Sequence, residues 1–247
     1  MKYWPKMLAL ADKYAPIPAV RERRDALIDA RNAIAQQKLP QRQLPKLELP
    51  LAAYTLAADV PGGQLAELMT LNHMFGNFRW YIAYHYGVWA YITEELIATW
   101  LREFPNRQYL ELAAGNGVLS AGLRAAGAQV ISTDAFSWVA ENGTGKLPWT
   151  AVERASATRA LWEYGDQVDA VILAWSPDKD VNDVHVLHTI REHFPNLEFF
   201  VIGDRFGITN SQTFWREAHI AANRQLLRLN QAFRAFDAVG DKIYLVK

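Results

Sequence analysis

The chain has 247 residues, with 26 Lys and Arg against 26 Asp and Glu, and 51% of its residues are hydrophobic. This composition excludes a disordered or collagen-like chain and disfavours a bulk polyanion binder, so nucleic acid is not an expected partner. Cysteine is absent, which excludes disulfides, Cys-ligated zinc, iron–sulfur clusters and a thiol nucleophile, and fits a cytoplasmic protein.

The opening residues Met1-Lys2-Tyr3-Trp4-Pro5 carry no apolar leader core. The most lipid-like stretch, residues 80–93, contains His85 and is too short to span a bilayer, so no membrane association is expected. Charge is uneven: residues 1–50 hold 10 basic and 5 acidic side chains, and the remainder is correspondingly acidic. The basic part reads as an arm docked on the acidic body, with a contact for an anionic partner as the alternative.

Residues 19–37 have helical spacing of Val20, Leu27, Ile28 and Ile34. Pro40, Pro45 and Pro50 follow in a connector. Short helices are expected at 51–58 and 64–75, and a long aromatic helix at 78–101 with Phe78, Trp80, Tyr84, Trp89 and Trp100. That aromatic stripe reads as core, with a pocket wall or an oligomer interface as alternatives. Beyond Pro105 the texture changes. Apolar runs at 109–113, 130–133, 151–153, 170–174 and 198–202 read as strands, alternating with helices at 118–126, 157–164, 184–193 and 212–231. Residues 233–239 and 242–246 read as a closing hairpin around Gly240-Asp241. Two regions are expected: a helical cap over 1–104, and a doubly wound α/β domain over 105–247.

The strongest local signal is the run Glu111-Leu112-Ala113-Ala114-Gly115-Asn116-Gly117 before a helix. Glycines after a strand let the backbone turn tightly beside a ligand at the carboxyl edge of a sheet. The third position of a G-x-G-x-x-G fingerprint is Ser120, so a dinucleotide fold is not matched. Glu111 disfavours a pyrophosphate and suits a cationic ligand. The next strand ends at Asp134, 19 positions after Gly115, where an acid commonly accepts ribose hydroxyls. A helix cap is the alternative role for Asp134.

These residues resemble the class I S-adenosylmethionine-dependent methyltransferases. Glu111–Gly117 is similar to their first motif, with Ala113 in a slot that is often glycine, and Asp134 to their second. The resemblance implies a seven-stranded, mostly parallel Rossmann-like sheet with S-adenosylmethionine over Gly115, Asn116 and Gly117. Asp134 would hold its ribose and Ser156 its adenine edge, in place of the usual acid. The loop Trp175-Ser176-Pro177-Asp178 is similar to the fourth motif of nitrogen-methylating members but lacks the second proline and the following aromatic residue.

A narrower resemblance is to a methyltransferase-like family with no assigned substrate and a Trp-Pro-Pro loop after strand four. It is carried by Pro148-Trp149-Thr150-x-Val152, Trp175-x-Pro177 and Gly203-Asp204-x-x-Gly207-x-Thr209 with Phe214. It implies that Asp204 rims the same pocket. The expected activity is methyl transfer to a small or medium acceptor. Trp175, Ser176 and Pro177 would place the acceptor, and Asp178 or Asp204 would take a proton. A non-catalytic protein that binds the cofactor, or acts through protein contacts, is the alternative. No metal site is expected: His185, His188 and Asp183 have no further ligand motif.

Overall fold

The computed structural model describes residues 3–247. In chain order the helices before the sheet are α1 (Tyr3–Lys13), α2 (Pro18–Ala35), α3 (Leu51–Thr55), α4 (Leu65–Gly76), α5 (Phe78–Tyr86) and α6 (Glu94–Glu103). Then follow β1 (Gln108–Leu112), α7 (Val118–Ala125), β2 (Gln129–Asp134), β3 (Glu153–Arg154), α8 (Ala157–Tyr164), β4 (Ala170–Ala174) and α9 (Asn182–His193). The chain ends with β5 (Glu198–Gly203), α10 (Gln212–Glu217), α11 (Arg224–Gln231) and β6 (Lys242–Val246). No helix among the described residues is long and apolar enough to cross a membrane.

The six strands lie in the order β3-β2-β1-β4-β5-β6, all parallel except β6, which runs antiparallel to β5. Strand alternation sorts the apolar side chains to two faces. Leu110, Leu112, Val171, Leu173, Phe199 and Val201 pack with α8, α9 and α10. Tyr109, Ala170, Ile172, Phe200 and Ile202 share a second core with α6, α7, α11 and the N-terminal helices. The helices before residue 104 are thus continuous in packing with one face of the sheet.

The sheet has six strands where seven were expected. Residues 233–239 do not form a strand because their polar groups are engaged elsewhere. The Phe236 carbonyl accepts from Leu47 N–H at 2.8 Å, the Asp237 carbonyl accepts from the Lys46 ammonium at 3.3 Å, and the Asp237 carboxylate binds Arg79. The Pro-rich connector therefore occupies the backbone that a hairpin would have paired, while Phe233 and Phe236 are buried. At the outer edge of β6 a single bridge, Ile220 to Val246, stands where a further strand would lie. It interrupts the expected helix 212–231, which becomes α10 and α11, capped by Ser211 and Asn223.

The aromatic helix expected at 78–101 is likewise two helices. Gly87, at φ 64°, closes α5 in the left-handed conformation. Thr93 caps α6 through its hydroxyl, which accepts from Leu96 N–H. The extended segment between them carries Val88, Trp89 and Ala90 toward the carboxyl edge of the sheet. An added Cβ at Gly87 would lie 2.7 Å from the Gly143 carbonyl oxygen, so close approach to that loop also requires glycine.

Candidate functional site

A cavity of about 490 Å³ opens at the carboxyl ends of β1, β2 and β4, the place where open α/β sheets bind ligands. Its floor is the turn after β1. Ala113 there has φ 51°, followed by Gly115 at 57°. A left-handed conformation costs a non-glycine residue about 1–2 kcal/mol, so Ala113 is strained where a glycine would be at ease. The Gly115 N–H donates to Asp134 Oδ2 at 2.8 Å, and the Phe136 N–H donates to Oδ1 at 2.5 Å. Asp134 thus ties the exits of β1 and β2 together. Each carboxylate oxygen keeps a second lone pair for a ligand hydroxyl, and Asp134 lines the cavity.

Glu111, on β1, faces α7 and is almost wholly buried. Its Oε2 accepts from the Ser120 N–H at 3.0 Å and from the Ser120 hydroxyl. Its Oε1 has no hydrogen-bond partner among the described residues, although the side chain lines the cavity. Burial pushes the carboxyl up to about 7 against the pull of the two Ser120 bonds. A cation arriving beside it would restore the ionised form.

Ser156 lines the cavity and also caps α8, accepting from Arg159 N–H at 3.3 Å. Trp175, Ser176, Pro177 and Asp178 line it from the β4 side. Trp175 has φ 54° and is fixed from behind. Its indole N–H donates to Asp241 Oδ2 at 3.2 Å, and the Arg79 guanidinium lies 5.0 Å from its ring centre. Arg79, 1% exposed, is itself bound to Asp237 and Asp241, each at 2.6 Å. Burial pushes the Asp241 carboxyl up to about 6 despite that partner.

Three sequence-derived site residues lie off the cavity. Asn116 is 1% exposed and donates to the carbonyls of Tyr86 at 2.7 Å and Gly143 at 3.1 Å, so it clamps two loops together. Gly117, at φ 69°, begins α7, and an added Cβ would lie 2.9 Å from Val152 and 3.0 Å from Thr150. Its glycine is set by packing. Asp204 does not rim the pocket: its carboxylate sits against Gly207 and Gly240. The backbone N–H of Asp204 is held by the Thr209 hydroxyl at 2.7 Å.

The wall opposite the sheet was read from the sequence only as an alternative role for the 78–101 aromatic residues. It is built by Trp80, Tyr84 and Trp89 from α5 and the following segment, by Trp138 and Glu141 from the loop after β2, and by Asp180 and Asp183 near the start of α9. The aromatic density of residues 78–101 was the available signal. The fold alone supplies the break at Gly87 that turns the stripe into a wall. Asp183 accepts from the Ser211 N–H at 2.6 Å and the Ser211 hydroxyl at 3.0 Å, so it holds the start of α9 to the 209–211 turn. Among the described residues six carboxylates line the cavity (Glu111, Asp134, Glu141, Asp178, Asp180 and Asp183) and no Lys, Arg or His does. Among the described residues no group of three or more His, Asp or Glu side chains is placed to hold a metal ion.

No protein-family profile matches the chain, and no curated protein does. Among solved structures, the chain is similar to the apo form of the S-adenosylmethionine-dependent methyltransferase SibL. That match has 13% identity and a TM-score of 0.35, and covers 99% of this chain and 74% of the other.

Proposed function

We propose that the protein is an S-adenosylmethionine-dependent methyltransferase acting on a small or medium acceptor, with residues 1–104 capping the site and residues 105–247 forming its sheet domain. The observation that carries this reading is the convergence of Glu111, Gly115 and Asp134 on a cavity lined by carboxylates and by no cationic side chain. The residues fit that cofactor. The unpartnered Glu111 oxygen suits an α-ammonium group, and Asp134 has lone pairs for ribose hydroxyls. Ser156 offers a hydroxyl to an adenine amine. The Ser120 N–H is taken by Glu111, which leaves the N–H groups of Val118 and Leu119 at the start of α7 for a carboxylate. When bound, the cofactor supplies an electrophilic methyl group whose bonding pair returns to sulfur.

The chain itself contributes alignment and exclusion of water. Trp175, Ser176 and Pro177 form a rigid acceptor wall, since Ser176 O accepts from Asn210 N–H at 2.7 Å and Pro177 bridges to Thr209. Asp178 takes the proton that an acceptor releases. The test is calorimetric titration with S-adenosylmethionine and its demethylated product, with NAD as control. The expected result is micromolar binding of the first two and loss of both in Asp134→Ala. Absence of binding to folded protein would leave only a shared architecture.

A further inference from the structure

We propose that the β4 side of the cavity is a subsite for an organic ammonium group, so that the acceptor is an amine that enters as its cation; naming it the acceptor rests on the methyl-transfer reading above. The ammonium group gives its N–H proton to Asp178, the freed nitrogen lone pair forms the bond to the methyl carbon, and the pair of the breaking S–C bond stays on sulfur. Four rings close a circuit there. Centroid separations are 6.3 Å for Trp80–Tyr84, 5.7 Å for Tyr84–Trp89, 6.1 Å for Trp89–Trp175 and 6.3 Å for Trp175–Trp80. All four line the cavity. A cation within about 6 Å of a ring centre is held by the ring's quadrupole, and several such rings together form the usual cage for alkylammonium groups.

Burial in a core does not account for Trp80 and Tyr84. Trp80 is 37% exposed and Tyr84 is 55% exposed, so a large aromatic surface is kept open at the cavity mouth. Trp175 already holds one cation, Arg79, whose charge is met by Asp237 and Asp241 and so does not repel a second.

The lining chemistry opposes an anionic acceptor. An anionic acceptor would face Asp178 and Asp180 beside the rings with no cationic side chain to offset them. A neutral apolar acceptor would gain nothing from those carboxylates. Trp175 follows β4, on the far side of β1 from β2, while the Trp89 indole N–H donates to the Thr144 hydroxyl in the loop after β2 at 3.0 Å, so the ring circuit adjoins the residues assigned to the nucleoside and includes none of them.

The test uses choline and its uncharged isostere 3,3-dimethylbutan-1-ol. Each is titrated into the full chain saturated with demethylated cofactor and followed by calorimetry and tryptophan fluorescence. Choline is expected to bind at least about tenfold more tightly than the alcohol. Trp80→Leu and Tyr84→Leu, checked for native circular dichroism, are expected to weaken choline about fivefold or more and to leave cofactor affinity unchanged. Trp162→Leu, exposed and remote from the cavity, is expected to change neither. Equal affinity for the two probes, or no effect of either ring variant, overturns the ammonium subsite while the methyl-transfer reading stands on cofactor binding. Choline selectivity in a protein that binds no S-adenosylmethionine has the opposite meaning: the subsite stands and the methyl-transfer reading falls.

Discussion

Glu111→Gln should make the protein more stable and less able to bind its ligand, and the two effects should share one pH window. Burial raises the Glu111 carboxyl from 4.5 to about 7, with Asp134 adding to the rise and Ser120 and Arg124 opposing it. At about 1.4 kcal/mol per tenfold change in proton affinity, keeping this group ionised in the fold costs about 3 kcal/mol. The folded value lies above the unfolded one, so between about pH 4.5 and 7 the native state holds more proton than the unfolded state. Stability therefore falls as pH rises through that window, and the cost is fully present above it. The Gln side chain does not titrate and can still accept from Ser120. Urea unfolding should show Glu111→Gln more stable by up to about 3 kcal/mol near pH 8, and equal to the parent near pH 4.5. Other groups titrate in both proteins and cancel in the difference. A cationic ligand should release a proton from Glu111 near neutral pH, so its affinity for the parent rises with pH across that range. In Glu111→Gln this dependence should vanish and the affinity should fall. A variant that is less stable at pH 8, or whose stability difference is the same at both pH values, would refute the reasoning.

The remaining predictions concern the scaffold around the cavity. Ala113→Gly should raise stability by about 1 kcal/mol in a urea titration, because the residue sits at φ 51°. Arg79→Met leaves Asp237 and Asp241 buried without their cation, and should cost about 3–5 kcal/mol by thermal unfolding. Adding Asp241→Asn should recover part of that loss, since Asp241 is the carboxylate burial has raised to about 6. Asn116→Ala removes the clamp between Tyr86 and Gly143, and should cost about 1–2 kcal/mol. In that variant hydrogen exchange at residues 142–145 should speed up more than exchange in β1 or β4.

The sheet was legible because buried parallel strands are short apolar runs separated by helices, and β1, β2, β4 and β5 have that form. The glycine turn was legible because a left-handed turn after a strand demands glycine or strain. Three things were hidden, each decided by distant partners. The aromatic run 78–101 has helical composition throughout, and only the contact of Gly87 with the Gly143 loop shows why it must break. Residues 233–239 have strand-like residues, but the carbonyls of Phe236 and Asp237 are taken by Leu47 and Lys46, about 190 residues earlier in the chain. Asn116 and Gly117 sit inside the ligand-binding motif by sequence yet serve loop clamping and packing. Asp204 is a separate case: the resemblance of Gly203–Thr209 to the narrower family implied that it rims the pocket, but its carboxylate turns to Gly207 and Gly240.

The exits of β1, β2 and β4 share a feature that links stability to recognition. Ala113, Phe136 and Trp175 follow these strands at φ 51°, 55° and 54°. Strain of about 1–2 kcal/mol at each is kept only where the surroundings over-determine the conformation. At Phe136 and Trp175 the restraint is visible: Arg154 lies 5.0 Å from the Phe136 ring centre and Arg79 lies 5.0 Å from the Trp175 ring centre. Arg154 also donates to the Ala135 carbonyl at 3.1 Å, and Asp241 holds the Trp175 indole. Each strained aromatic residue is thus locked by a guanidinium. Ala113 has no ring to grip, and its turn is instead held through Gly115 and Asp134. The cavity floor is therefore set before any ligand arrives, which lowers the ordering cost of binding. The same restraint explains how Trp175 can form a cavity wall from a left-handed residue in a loop: its position is fixed by buried charge behind it, not by the loop backbone alone.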